Sequence, residues 1–235
     1  MSKVQRPKSK VRLGNEVSTG SDSDLVSSAT DNTDDILSVP PAVAGGYSIS
    51  PMSKVSSGMG STQPLLIRRG EASDAELLAE LGARTFSETF AADNTPENMS
   101  AYLATAFSPA QQASELSDSR SSFHIAEIDG VAVGYALLRT GKVPYGVTGN
   151  QPIELVRLYV SKESLGTGVG ATLMQACIDD AKQRGHQTIW LGVWEHNNRA
   201  QAFYRKWNFQ DVGTHVFQLG DDPQTDILMQ RRTSE

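Results

Sequence analysis

The chain has 235 residues, a formal net charge of −6 and one cysteine, Cys177. A lone cysteine excludes an intramolecular disulfide framework and suits a reducing cytoplasm. No apolar run approaches the roughly 18 residues a membrane-spanning helix needs, and an acidic balance argues against nucleic acid, whose phosphates require clustered positive charge.

Residues 1–62 are rich in Ser, Thr, Asp, Gly and Pro and show no hydrophobic period. Such a stretch cannot bury enough apolar surface to offset its ordering entropy, so it reads as a disordered extension. Its basic residues (Lys3, Arg6, Lys8, Lys10 and Arg12) precede no apolar region, which excludes a secretory signal. A bare tail and a docking or regulatory arm both fit it. Its acidic and basic residues balance, so 63–235, read as one domain, carries the whole net charge.

Residues 64–69 read as a first strand. Ser73 to Glu76 has the form of a capping box opening a helix that runs to about Phe90, with Leu77, Leu78, Leu81 and Phe86 inward. Thr95-Pro96 and Ser108-Pro109 each restart a helix, the hydroxyl residue as N-cap and proline in the first turn. Asp129-Gly130 between 123–128 and 131–139 predicts a tight hairpin. A Gly/Pro loop leads to 153–160, IELVRLYV, apolar on both faces except Glu154 and Arg157, as a central covered strand is.

After a short loop come Gly166, Gly168 and Gly170. Gly170, Leu173, Met174, Cys177, Ile178 and Ala181 then share one face of an amphipathic helix. The glycines therefore sit at a helix start, where unpaired N–H groups and the positive dipole end attract an anion such as a pyrophosphate. A strand at 188–193, a helix at 198–207 and a strand pair at 209–218 and 224–231 complete the order β α α β β β α β α β β. This is a single mixed α/β domain.

Three readings compete for the glycine segment. The P-loop string is absent. Gly166-Thr-Gly168-Val-Gly170-Ala171 satisfies the dinucleotide fingerprint, but the glycines follow the strand too late and too little chain remains for a second half. Residues 160–170 resemble motif A of the GNAT superfamily of N-acetyltransferases, V-x-x-x-x-[QR]-G-x-G-x-[GA], with Leu165 in place of Gln or Arg. Residues 197–209 resemble a second motif of that superfamily, N-x-x-A-x-x-[FL]-Y-x-K-x-G-F, with Asn208 in place of Gly. Further phrases, at 85–90, 94–99, 191–195 and 217–226, look like the bacterial spermidine/spermine N-acetyltransferases.

The resemblance implies a central, mostly antiparallel mixed sheet flanked by helices and an acetyl-CoA co-substrate, with no metal. It places the acetyl and pantetheine arm along Leu158, Tyr159 and Val160. The pyrophosphate falls on Gly166, Thr167, Gly168, Val169, Gly170 and Ala171, and Asn197 stands beside the pantetheine. Tyr204 takes the family's thiol-protonating position, although helical spacing alone makes it a core aromatic. Glu154 is the candidate general base, because a carboxylate in an apolar strand is costly unless paired or functional. The rival reading is an ion pair with Arg139, and Glu195 is the second choice of base. Glu88, Asp93 and Glu97 are candidates to hold the remote ammonium groups of a polyamine, against the plainer reading of a solvated helix face.

The expected activity is direct acetyl transfer to a small primary amine, a polyamine such as spermidine or spermine. The alternatives are acetylation of a protein N-terminus or lysine, and an acyl-CoA-binding regulatory module without turnover. Relatives of this kind are often homodimers. Cys177, on the buried helix stripe, is not expected to carry an acetyl group. The four histidines show no metal-ligand spacing and no nucleophile–His–acid set.

Overall fold

The computed structural model describes residues 64–234. The tail expected at 1–62 lies outside them. The described elements are β1 (Leu66–Arg69), α1 (Ala75–Phe90), α2 (Pro96–Ala106), α3 (Pro109–Ser117), β2 (Ser121–Ile128), β3 (Val131–Arg139), β4 (Pro152–Val160), α4 (Val169–Gln183), β5 (Thr188–Trp194), α5 (Asn198–Lys206), β6 (Gln210–Leu219) and β7 (Asp222–Arg232).

Three helices, not the two of the expected order, separate β1 from β2. Both proline-led restarts are separate helices, with the Thr95 and Ser108 hydroxyls accepting from the backbone N–H groups of Asn98 and Gln111. The start of α1 differs from the expected capping box. Asp74, not Ser73, organises it, accepting from the Glu71 N–H at 2.8 Å while pairing with Arg68. The β2–β3 hairpin turns at Asp129 (φ 55°) and Gly130 (φ 74°), the left-handed pair that matches strand twist. The β6–β7 turn is tighter than predicted, at Gly220-Asp221, and Pro223 lies within β7.

The seven strands lie in the order β1-β2-β3-β4-β5-β7-β6. Every neighbouring pair is antiparallel except β4–β5, which is parallel and pairs only at Pro152–Thr188, Ile153–Ile189 and Glu154–Trp190. Beyond Glu154 the two strands part. One face of the sheet packs on α4 and α5 through a cluster including Leu158, Val160, Leu173, Cys177, Ile189 and Tyr204. The other packs on the α1–α3 layer through Phe86, Phe90, Tyr102, Phe107, Tyr135, Tyr159 and Phe217.

A β-bulge decides which residues of β4 face which layer. Leu137 pairs with Arg157 and Leu138 with Leu155, so Val156 is the extra residue. Ile153 and Leu155 face α4, and after the bulge Leu158 and Val160 do so again. Glu154 and Arg157, three residues apart, thereby share the opposite face. Arg157 is fully enclosed there and donates to both carboxylate oxygens of Glu115 on α3, at 2.5 and 3.0 Å. Neither polar residue of the strand is solvated.

Candidate active site

The parting of β4 and β5 leaves strand edges unpaired in the middle of the sheet. Ser161 N–H donates to the Val133 carbonyl at 2.8 Å. Because ladder bonds alternate along an antiparallel strand, the N–H groups of Leu158 and Val160 point away from β3, into the gap. A cleft of about 450 Å³ opens over that gap on the α4–α5 face. Leu158 and Val160 form its floor, Ser164 to Ala171 one wall, and Arg199, Phe203, Tyr204 and Lys206 of α5 the other.

The glycine wall has the geometry of an anion cradle. Gly166 (φ 78°) and Gly168 (φ 97°) both occupy the left-handed region, and a Cβ at either would meet no atom within 4 Å. Backbone conformation, not crowding, therefore requires glycine there. Gly168 caps α4, whose first internal bond runs from Thr172 N–H to the Gly168 carbonyl, so the N–H groups ahead of it face outward. Arg199 and Lys206 add two positive charges to the rim. Arg199 was not singled out from sequence, and Lys206 only as a motif letter; their clustering depends on α5 crossing the gap.

Most of the residues assigned to cofactor binding meet here: Leu158, Val160, Gly166, Gly168, Gly170 and Ala171 line the cleft. The side chains of the others point elsewhere. The ring of Tyr159 lies on the opposite face against Tyr135 and Phe107. Val169, the first residue of α4, is buried, and the Thr167 hydroxyl donates to the Ser164 carbonyl at 2.7 Å. Asn197 is buried as the N-cap of α5, its Oδ1 accepting from Ala200 N–H at 3.1 Å. Leu165, at the position where motif A has a polar residue, lines the cleft and packs on the core.

Tyr204 is a core aromatic that also lines the cleft. Its ring lies against Phe203 and Phe209. Burial, with the nearby Cys177, raises its phenol well above the ordinary value, which keeps it protonated. Asn208 takes φ 62° just after the helix, the left-handed conformation in which Asn replaces Gly at little cost.

Glu154 lies on the far face at the vertex where β4 and β5 part. It is 4 % exposed, and its Oε1 has no hydrogen-bond partner among the described residues. Burial pushes its carboxyl up to about 7, against the opposing electrostatic pull of Arg139, His215 and Arg157. Glu195, by contrast, is exposed in the turn after β5. Ser122, His124 and Asp180 come together as no sequence spacing suggested. The carboxylate is the hub, accepting from Ser122 at 2.8 Å and lying 3.4 Å from His124 Nε2, so the group ties α4 to β2 and forms no nucleophile–His pair.

The profile of the Acetyltransferase (GNAT) family matches residues 83–209. This chain belongs to the GNAT acetyltransferase family. An uncharacterised N-acetyltransferase of Mycobacterium tuberculosis is 36 % identical over 158 residues, 67 % of this chain and 97 % of the relative. One from Lactobacillus delbrueckii subsp. lactis is 31 % identical over 151 residues, 64 % of this chain and 87 % of the relative. Among solved structures, the PaiA N-acetyltransferase of Thermoplasma acidophilum in complex with coenzyme A superposes with a TM-score of 0.58 at 23 % identity, covering 72 % of this chain and 99 % of that one. The glycine cradle, the unpaired strand N–H groups and the basic rim of this GNAT domain fit a coenzyme A thioester.

Proposed function

We propose that this GNAT enzyme transfers acetyl from acetyl-CoA directly to a primary amine, and that the acceptor is a polyamine such as spermidine or spermine. The observation that carries the transfer reading is Glu154. It is a buried, incompletely hydrogen-bonded carboxylate at the vertex of the strand gap, on the face opposite the cleft. Two substrates approaching from opposite faces of the sheet would meet in that gap. The polyamine assignment rests on the resemblance at 85–90, 94–99, 191–195 and 217–226.

Acetyl-CoA supplies the acetyl group as a thioester, with its pyrophosphate on the 166–171 loop. An alkylammonium has a pKa of about 10.4 and must lose a proton before its nitrogen can attack. Glu154, near 7, takes that proton directly or through water. The transfer is uphill by roughly 3 pK units, against about 6 for an ordinary carboxylate. The Leu158 N–H, facing the gap, stabilises the carbonyl oxygen as it gains charge. Tyr204, kept protonated by burial, gives its proton to the departing sulfur and recovers one as the attacking nitrogen sheds its second proton on collapse of the tetrahedral intermediate.

The test is thiol release from acetyl-CoA with the full chain against spermidine, spermine, putrescine, free amino acids and short peptides. Turnover on polyamines is the expected result. Turnover on peptides alone would keep the chemistry and overturn the polyamine acceptor. Silence on every amine, with coenzyme A still binding, would leave a regulatory acyl-CoA-binding module.

A further inference from the structure

The three carboxylates that the sequence offered for a polyamine's remote charges, Glu88, Asp93 and Glu97, are all exposed. Glu88 also accepts from the Lys162 backbone N–H at 3.3 Å. Carboxylates in full solvent hold a cation weakly. A different carboxylate, Asp226 on β7, is completely enclosed.

Asp226 pairs across the sheet with Trp194 of β5 on one side and His215 of β6 on the other, and its Oδ2 lies 3.5 Å from His215 Nε2. Two residues earlier on the same face, Gln224 pairs with Phe217. The roof over these rows comes from the α1–α2 region. Tyr102 sets its ring edge-on to Phe217 at 5.7 Å, Phe90 does the same to Trp194 at 6.0 Å, and Asn94 Oδ1 accepts from Gln224 Nε2 at 2.7 Å. The surroundings of this buried carboxylate, between floor and roof, are thus largely aromatic.

Two further atoms point to a guest. Gln224 Oε1 and the Tyr102 hydroxyl are enclosed and have no hydrogen-bond partner among the described residues. The orientation of the Gln224 amide is determined by its neighbours. Its Nε2 donates to Asn94 Oδ1 and to Asp222 Oδ2 at 2.9 Å, both acceptors, so the oxygen is the atom left over. A buried acceptor without a donor is costly, and each such group in a folded protein requires an explanation. An ammonium has three N–H donors and no acceptor, and it is also attracted to aromatic faces. A buried carboxylate, an unpaired amide oxygen and aromatic rings are the partners it needs.

The position suits a second nitrogen of the acceptor. Trp194 lies four residues beyond the last paired row, Glu154–Trp190, on the side of the gap where the Leu158 N–H is exposed. Asp226 is one strand further from the gap. A cleft of about 240 Å³ between α2 and the β6–β7 turn, lined by Ala101, Tyr102, Thr105, Ala106 and Gly220, reaches Tyr102 from outside.

We infer that Asp226, Gln224 and Tyr102 form the site for the distal ammonium of a di- or polyamine acceptor, making Asp226 the residue that selects a polycation over a monoamine. This rests on the polyamine reading above and names the part of the molecule responsible for it.

The experiment compares kcat/KM for spermidine and for butylamine, which lacks the second charge, in the full chain and in Asp226→Asn and Gln224→Met. Coenzyme A binding and thermal melting serve as folding controls. The expected result is a strong wild-type preference for spermidine. The spermidine-to-butylamine ratio falls about 10- to 100-fold in Asp226→Asn, as for loss of a charged hydrogen bond, and about 3- to 10-fold in Gln224→Met. A ratio unchanged in either folded variant overturns the site; should Asp226→Asn not fold, Gln224→Met decides alone. Wild-type polyamine turnover with unchanged variant ratios removes the distal site only. Absence of polyamine turnover in the wild type removes the polyamine reading and this inference together.

Discussion

Glu154 of β4 and Arg139 of β3 stand directly opposite each other in the sheet, yet their side chains form no ion pair. The guanidinium's field moderates the carboxyl, but burial prevails and leaves it near 7. A paired glutamate would be ionised throughout the physiological range and a poor proton acceptor. This one changes charge near 7, as the proposed general base requires.

The rate should follow that titration. Below about pH 7 Glu154 is protonated and cannot take the ammonium's proton, so kcat/KM for the amine rises about tenfold per pH unit and levels off above 7. Glu154→Gln should remove this limb and lower turnover by about 10²- to 10⁴-fold. A pH profile of both proteins checks it. An acid limb surviving in Glu154→Gln would assign the base elsewhere.

The same shift predicts a pH-dependent stability with an unusual sign for a carboxylate. Between the unfolded value, 4.5, and about 7, the folded state holds the proton that the unfolded state has released. The contribution is fully present below 4.5 and is lost as pH rises through 7, a loss of about 3 kcal/mol. Glu154→Gln should accordingly gain on the wild type at pH 8 relative to pH 4.5. Urea unfolding at the two pH values measures this.

Tyr204→Phe keeps the ring against Phe203 and Phe209 and removes only the hydroxyl. Turnover should fall by about 10²-fold or more, the usual range for loss of a positioned proton donor, with little change in acetyl-CoA affinity. Steady-state kinetics with a binding measurement separates the two. Unchanged kcat would reduce Tyr204 to its packing role.

Arg157 and Glu115 form an enclosed ion pair joining β4 to α3, and the Arg157 guanidinium also lies 5.2 Å from the Phe107 ring centroid. Removing one partner strands the other charge in the core. Arg157→Met should therefore cost about 3–5 kcal/mol, while a double change with Glu115→Leu should cost less than that single change. Denaturation midpoints of the single and double variants give the comparison.

Gly168→Ala tests the cradle. No atom obstructs a Cβ there, so the penalty is that of a left-handed alanine, about 1–2 kcal/mol. Because that conformation presents the N–H groups at the start of α4, coenzyme A affinity should fall with stability, which calorimetric titration would show.

Much of the catalytic framework was legible in the chain itself because it is local. The apolar run of β4, the glycines at 166, 168 and 170, and the 3.6-residue stripe of α4 are patterns of neighbours whose backbone physics does not depend on distant partners. The proline-led starts of α2 and α3 and the Asp129-Gly130 turn are of the same kind. Even the substitution of Asn for Gly at 208 was readable, since the requirement is one residue's φ.

Other features depended on contacts that no spacing encodes. The Val156 bulge puts Glu154 and Arg157 on one face, and only the register against β3 reveals it. Whether Glu154 was paired turned on where Arg139 and Arg157 went, and Arg157 went to Glu115, 42 residues away. In the sequence Asp226 is only the last residue of the 217–226 phrase. It became a buried carboxylate because β7 inserts between β5 and β6, with α1 and α2 above them. Sequence order specifies helices, turns and strand starts through short-range sterics and hydrogen bonding. Desolvation, which gives a carboxylate its chemistry, is set by what the whole chain brings around it.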